Sequence, residues 1–289
     1  MRILILGGDG MLGHQLLKSW QSKHDVRVTL RGAAEQYQQY GLFHDSNSYY
    51  GIDVRDFASI KGVAEKFHPE AIVNAVGIVK QRSEAHDAII SLEVNSLLPH
   101  RLSQLCGEMG ARLIHLSTDC VFSGSKGMYT EEDLEDARDL YGRSKLLGEV
   151  DDAQAVTLRT SIIGLELSRK KSLIEWFLAQ KGGLKGFTRA IYSGFTTQEM
   201  ARIIERVLLV DTAISGLWHV ASAPINKYKL LEKLSTYMER EDVKLLPEPD
   251  FFCERSLDAS KFNEQTGYMP PSWDEMLKEL SEQIRERSE

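Results

Sequence analysis

A continuous apolar run, Ile3-Leu-Ile-Leu6, leads straight into Gly7-Gly-Asp-Gly10-Met-Leu-Gly13, and apolar residues then recur at Leu12, Leu16, Leu17 and Trp20. An uninterrupted apolar run bounded by glycine reads as a strand buried on both faces. Recurrence every three or four residues reads as a helix with one apolar face. Strand, glycine turn and helix in that order open a parallel α/β sheet. Glycines let the backbone turn tightly and approach a pyrophosphate, which sits on the positive N-terminus of the following helix. The GxxGxxG spacing departs from GxGxxG, but the mechanics are the same. The competing reading is an ordinary glycine turn. Gly7, Gly10, Met11, Leu12 and Gly13 are the first candidate cofactor contacts.

Strand and helix then alternate. Strands are expected at Val26–Leu30, near Tyr49–Val54, at Ala71–Gly77, Arg112–Ser117 and Ala155–Thr160, with helices from Asp56, over Ile89–Met109 and around Tyr141. Such alternation implies a parallel sheet covered on both faces, with right-handed crossovers. The expected fold is α/β: a Rossmann-like doubly wound parallel sheet with a smaller C-terminal substrate-binding lobe. Residues 1–160 read as the dinucleotide-binding domain, its sheet completed by later segments, and 161–289 mainly as the substrate lobe, packed over the strand ends. In that lobe Leu173–Leu178 reads as an amphipathic helix, and Gly182, Gly183 and Gly186 as chain breaks. Thr196-Thr-Gln-Glu199 reads as a capping box and Leu217–Val220 as a short strand, before a charged terminal helix.

Composition excludes several classes of function. A net charge of −7 gives no global basic field for nucleic acid or an anionic membrane. A 42% hydrophobic and 27% charged chain fits a soluble globular protein. Cys106, Cys120 and Cys253 form no CxxC and read as free thiols in a reducing compartment. The N-terminal apolar run is too short for a signal core, and no run approaches a membrane span. The cytoplasm is the expected location. Scattered histidines without HExxH or an EF-hand argue against a catalytic metal.

The chemistry centres on Tyr141-Gly-Arg-Ser-Lys145. Four residues apart on a helix, the phenol and ammonium share one face. The cation favours the phenolate and lowers the tyrosine pKa from about 10. Ser117 and Thr118 lie at the end of an apolar strand, so a hydroxyl from the strand end and the Tyr/Lys pair from the next helix can converge on one carbonyl oxygen. Arg31 follows the second strand where an NAD site often carries a carboxylate, which suggests a 2′-phosphate partner and NADPH, with NADH permitted; a merely solvated Arg31 is the alternative. Asp53, beside Val54, is read as an adenine acceptor or a helix cap. Ala75, Val76 and Gly77 end the fourth strand where a cofactor would lie, and Lys80-Gln81-Arg82 follows, facing a diphosphate or solvent. Asn95, in mid-helix, needs a partner. The acidic run Glu131-Glu-Asp133 reads as a solvated loop. Trp176 is assigned to core packing ahead of base stacking. Arg255 is either a diphosphate clamp or half of a surface salt bridge.

Taken together, the glycine turn, Asn74-Ala-Val-Gly77, Ser117-Thr-Asp-Cys-Val-Phe-Ser-Gly124, Tyr129-Thr-Glu-Glu132, Tyr141-Gly-Arg-Ser-Lys-Leu-Leu-Gly-Glu149, Leu158-Arg-Thr-Ser161 and Arg255-Ser-Leu-Asp258 resemble the extended short-chain dehydrogenase/reductases. Within that superfamily the chain is most similar to the dTDP-4-dehydrorhamnose reductase family, over nearly its whole length. The resemblance implies that NADPH delivers hydride to the C4 ketone of a nucleotide-linked 4-keto-6-deoxy sugar. It implies that Tyr141 protonates the developing alkoxide, that Thr118 hydrogen-bonds the same oxygen, and that Lys145 holds the nicotinamide ribose. Asp119, Cys120, Ile162, Trp176, Arg255 and Lys80 are the substrate-side candidates, and a homodimer is among the assemblies allowed.

The chain departs from the family twice. The residue after Thr-Asp is usually tyrosine and here is Cys120. The residue after Arg-Thr-Ser is usually tryptophan and here is Ile162. Both family residues tend to face the sugar, so the reduction carries over better than the sugar's identity. Rival readings are a nucleotide-sugar epimerase, a 4,6-dehydratase (disfavoured because Cys120 stands where the dehydratases carry glutamate) and a non-catalytic subunit. The last resembles the regulatory partner of methionine adenosyltransferase.

Overall fold

The computed structural model describes residues 1–80, 86–209 and 214–288. In chain order its elements begin β1 (Arg2–Leu6), α1 (Met11–Trp20), β2 (Asp25–Thr29), β3 (Ser48–Tyr49), α2 (Phe57–Phe67), β4 (Ala71–Asn74) and α3 (Ala88–Ser91). A π-helical turn, Leu92–Leu97, then runs into α4 (Leu98–Met109), followed by β5 (Arg112–Leu116), α5 (Leu140–Leu146), β6 (Ala155–Arg159) and β7 (Ile162–Ile163). The remainder is α6 (Leu173–Leu178), β8 (Gly182–Tyr192), β9 (Phe195–Thr196), α7 (Thr197–Leu209), β10 (Gly216–His219), β11 (Ile225–Asn226), α8 (Lys227–Tyr237), β12 (Val243–Glu254), α9 (Ser260–Thr266) and α10 (Trp273–Ser288).

Seven strands form one sheet in the order β10-β6-β5-β4-β1-β2-β3. The pairings from β3 through β6 are parallel, and Leu6 of β1 stands beside both Thr29 and Asn74. Continuous apolar strands suit this position: Ile3–Leu6 and Ala71–Val73 are wholly buried. One core cluster joins Leu4, Leu6 and Ile72 of the sheet to Ile60, Leu102 and Leu105 of the helices. The order reverses direction between β1 and β4. In sheets of this kind ligands bind at that switch point, outside the carboxyl ends of the strands.

The chain divides into two compact units, each assembled from separate stretches. Unit 1 is Met1–Ser117, Asp139–Leu158 and Ala201–Leu217; unit 2 is Thr118–Arg138, Arg159–Met200 and Trp218–Glu289. Unit 2 contains a three-stranded sheet, β11-β8-β12, and the pair β7-β9.

Several local expectations are corrected. Gly182, Gly183 and Gly186 do not break the chain but lie inside the eleven-residue β8. A Cβ at Gly186 would stand 2.8 Å from the Tyr228 ring, so this glycine lets α8 pack directly on the strand. The third strand stops at Tyr49, because Gly51 turns the chain at φ +72°. Trp176 is 40% exposed rather than in the core, since α6 turns Ile174 and Phe177 inward instead. Glu131 and Asp133 are more than a solvated loop: Glu131 accepts from the His219 amide at 2.8 Å, and Asp133 accepts from Lys126 and the Thr130 amide. Half of the predicted capping box is present at the start of α7: the Glu199 amide donates to Thr196 Oγ1 at 3.4 Å, while the Glu199 carboxylate accepts from Tyr268 Oη at 2.6 Å.

Candidate active site

Gly7 follows β1 at φ +81°, and the Gly10 amide closes back on its carbonyl at 3.0 Å. A Cβ at Gly13 would lie 2.1 Å from that same carbonyl oxygen, and one at Gly8 would lie 2.5 Å from Val28 Cβ. The turn is thus closed to side chains at both positions. Its outer residue, Gly10, is the N-cap of α1 and has no side chain to bond the amides of the first turn, which includes Met11 and Leu12. A cradle of backbone N–H groups at a positive helix end, outside the central strand, fits a pyrophosphate. Thr29 supports it from β2, accepting from the Gly7 amide at 3.3 Å.

Arg31 is exposed just beyond β2. Asp53 caps no helix. The Arg55 guanidinium and amide take its carboxylate, at 2.6 Å for the shortest contact, and that bond holds its pKa down to about 2. Val54 is half-buried against the core cluster.

At the end of β4, Asn74 accepts from the Val76 amide at 3.2 Å and meets His115 Nδ1 at 3.1 Å. Burial, with the Lys145 charge nearby, holds His115 well below the usual histidine range, so it is neutral. Ala75, Val76 and Gly77 follow, half-buried. Asn95 finds its partners here. Its amide accepts from Ile78 N at 2.8 Å, donates to Ile78 O at 3.0 Å, and donates to Ser144 Oγ at 3.0 Å. It therefore ties the segment after β4 to α5. Gly148 lets this contact close, since a Cβ there would fall 1.8 Å from the Asn95 carbonyl oxygen. Lys80 is not left to solvent: its ammonium meets Asp139 at 3.0 Å. Gln81 and Arg82 lie outside the described residues.

Helix α5 is capped by Asp139, which accepts from the Gly142 amide at 3.1 Å. It carries a half-exposed Tyr141 and, one turn on, Lys145 at 4% exposure. The Lys145 ammonium donates to the Leu116 carbonyl at 2.6 Å, at the carboxyl end of β5. Burial lowers its pKa to about 8, with Glu149 opposing the shift. The Ser117 hydroxyl donates to Glu149 at 2.6 Å. The glycine turn, the end of β4, Ser117, Tyr141 and Lys145 all belong to unit 1.

In unit 2, Thr118 caps a short turn over Asp119–Val121. Its oxygen accepts from the Cys120 amide at 3.1 Å, and its hydroxyl donates to Asp119 at 3.2 Å. Asp119 is buried and also accepts from Ser161 Oγ at 2.6 Å, a partner that no sequence spacing singled out. Ile162 begins β7 directly after that serine. Arg255 clasps the segment around Cys120, donating to Phe122 O at 2.9 Å and Ser123 O at 3.2 Å, with Cys120 Sγ at 3.7 Å. Cys106, Cys120 and Cys253 are all free thiols. Among the described residues no group of three or more His, Cys, Asp or Glu side chains is placed to hold a metal, and no helix is long and apolar enough to cross a membrane.

The family described as RmlD substrate binding domain matches residues 1–286. A dTDP-4-dehydrorhamnose reductase of Aggregatibacter actinomycetemcomitans is 23% identical over 96% of this chain and 98% of its own length. Methionine adenosyltransferase 2 subunit beta of Bos taurus is 31% identical over 58% of this chain, and the chain spans just under half, 48%, of that relative's length. Among solved structures, a dTDP-4-dehydrorhamnose reductase from Bacillus anthracis in complex with NADP shares the fold. It superposes with a TM-score of 0.78 at 20% identity, over 98% of this chain and 99% of that one.

Proposed function

The chain belongs to the RmlD substrate binding domain family, and on that premise we propose that it is a nucleotide-sugar ketoreductase. In this reading it uses NADPH to reduce the C4 ketone of a nucleotide-linked 4-keto-6-deoxy sugar. The observation that carries the reading is the buried Lys145 ammonium on the Leu116 carbonyl, one helical turn from Tyr141 and in the same unit as the glycine cradle.

NADPH, when bound, supplies the hydride. The chain's own residues do the rest. The cradle of Gly7, Gly10, Met11, Leu12 and Gly13 holds the pyrophosphate, and Arg31 meets the 2′-phosphate. Asp53, Val54 and Ala75–Gly77 line the adenosine side, and Lys145 holds the nicotinamide ribose. Tyr141 gives its phenolic proton to the alkoxide oxygen, and the nearby ammonium makes that donation easier. Thr118 is the candidate hydroxyl donor to that oxygen. Unit 2 is the substrate lobe, with Asp119, Cys120, Ile162, Trp176 and Arg255 on the sugar-nucleotide side. Replacing a tyrosine hydroxyl and an indole N–H by Cys120 and Ile162 removes two donors, so the preferred sugar is a related 4-keto sugar, N-acetylated or differently deoxygenated. In this reading the enzyme is cytoplasmic, and a homodimer is the assembly to look for.

NADPH oxidation against a panel of 4-keto nucleotide sugars tests the reading. Turnover of at least one is expected. A folded protein that binds NADPH and reduces none of them, while co-purifying with a stoichiometric enzyme partner, supports the non-catalytic alternative. Ordinary turnover of dTDP-4-keto-rhamnose with poor use of the others would remove the altered-sugar reading. In the same assay kcat/KM is expected to be about tenfold or more higher with NADPH than with NADH, the size of one well-made phosphate contact. Equal values defeat the Arg31 assignment.

The pH profile follows from burial. Lys145 works as a cation, and burial lowers its pKa, so its charge is present below about 8 and is lost as pH rises through that value. The free-enzyme profile, kcat/KM, is expected to fall on that alkaline side. A profile flat well past this point would show that the lysine charge is not needed.

A further inference from the structure

We propose that Lys80 is a positioning residue for the Tyr141 phenol, a second cation that holds the catalytic tyrosine from its ring side rather than a contact for the substrate. The inference rests on the proton-donor role given to Tyr141 above. Lys80 stands just past β4, and its Nζ lies 5.7 Å from the centroid of the Tyr141 ring. That is within the range over which an ammonium is attracted to an aromatic face. The same ammonium meets Asp139 Oδ2 at 3.0 Å. Asp139 uses its other oxygen to accept from the Gly142 amide at 3.1 Å. One carboxylate therefore fixes the lysine and the start of the tyrosine's helix together. A side chain so held is aimed at the phenol.

The charged groups around Tyr141 set the sign of the effect. Lys145 lies one turn along the same helix, Asp139 lies two residues back, and Lys80 faces the ring. The segments packed against α5, namely α3 and the π-helical turn, bring Asp87, whose carboxylate caps α3, and Glu93. Removing the Lys80 charge takes away a cation that favours the phenolate. It also takes this one cation away from Asp139, two residues from the tyrosine. Both changes make the proton harder to release. The side chain is 40% exposed, so replacing it leaves no buried hole in the fold.

The test uses the full-length protein labelled with 13C at tyrosine Cζ. The Tyr141 signal is assigned by its loss in Tyr141→Phe and titrated with alkali in wild type, Lys80→Met and Lys80→Arg. In Lys80→Met the Tyr141 midpoint is expected to rise by about half to one pH unit, the size of a partly screened charge at this distance. Lys80→Arg is expected to return it most of the way. With a substrate from the panel, Lys80→Met is expected to lower kcat about three- to tenfold at neutral pH, with the sugar KM within about twofold. An unmoved midpoint, or a raised KM with unchanged kcat, overturns the proposal; the second result would make Lys80 a substrate contact. The titration needs no substrate. If no sugar is turned over, the ketoreductase reading fails while the midpoints still judge Lys80. If turnover is normal and the midpoints coincide, Lys80 fails alone.

Discussion

Tyr141→Phe is expected to lower kcat by at least about a hundredfold, worth roughly 2.7 kcal/mol of barrier, while leaving NADPH binding close to wild type. Only one hydroxyl is removed, and the helix that carries it is held by other groups. Asp139 caps its first turn, Asn95 binds Ser144, Ser96 Oγ donates to the Ser144 carbonyl at 2.7 Å, and Lys145 is anchored on Leu116. None of these bonds involves the phenol. The glycine cradle, proposed to hold the pyrophosphate, is likewise untouched. The effect therefore belongs in the chemical step, where a positioned acid is lost. Steady-state kinetics beside a fluorescence titration with NADPH separate the two quantities. Turnover near the wild-type rate would end the assignment of Tyr141 as proton donor, and weakened NADPH binding of the same size would relocate its role.

Arg159→Ala is expected to cost about 3–5 kcal/mol of stability, the loss typical when one partner of a buried charge network is removed. Arg159 is only 1% exposed. Its guanidinium pairs with Glu135, reaches His219 Nε2 at 3.3 Å and lies 5.3 Å above the Phe122 ring. Phe122 is itself stacked on Tyr129 at 4.2 Å. Alanine removes the cation, leaves a cavity beside two aromatic rings and strips Glu135 of this counter-ion. For a chain of this size the melting temperature is expected to fall by on the order of 10 °C. Arg159→Lys recovers only part, because a lysine has no planar fork. Urea unfolding monitored by circular dichroism measures both. A loss below about 1 kcal/mol would show that the network adds nothing net.

Much of the unit that carries the glycine turn was legible in the sequence, because its signals are local. Ile3–Leu6 is apolar throughout because both of its faces are covered, and the turn needs glycine at Gly7 and Gly13 for φ and for space. Asn95 announced itself as a polar residue within a helix, and its three bonds are what that position demands. The pairing of Tyr141 with Lys145 on one helix follows from spacing alone. What stayed hidden depends on which surface arrives from far along the chain. Gly186 resembles a break until Tyr228 of α8 is known to lie on it, and Gly182 and Gly183 until β12 is known to pair with them. Trp176 looks like a core residue until Ile174 and Phe177 have taken the inner face of its short helix. The clasp of Arg255 around Phe122 and Ser123 joins residues more than a hundred positions apart, as periodicity cannot. The bond between Ser161 and Asp119 is a further case, since each belongs to a recognisable motif whose meeting neither motif states.

Interleaving of the two units has a consequence for how the protein can be made. The outer neighbour of β6 in the large sheet is β10, which begins only at Gly216. While the ribosome is still translating the intervening residues, β6 stands as a bare edge, the kind of surface on which nascent chains stick to one another. A gene fragment ending near residue 160 would keep that edge open permanently. One starting there would lack Thr118–Arg138, which belong to the other compact body. No single cut of the coding sequence yields either body whole.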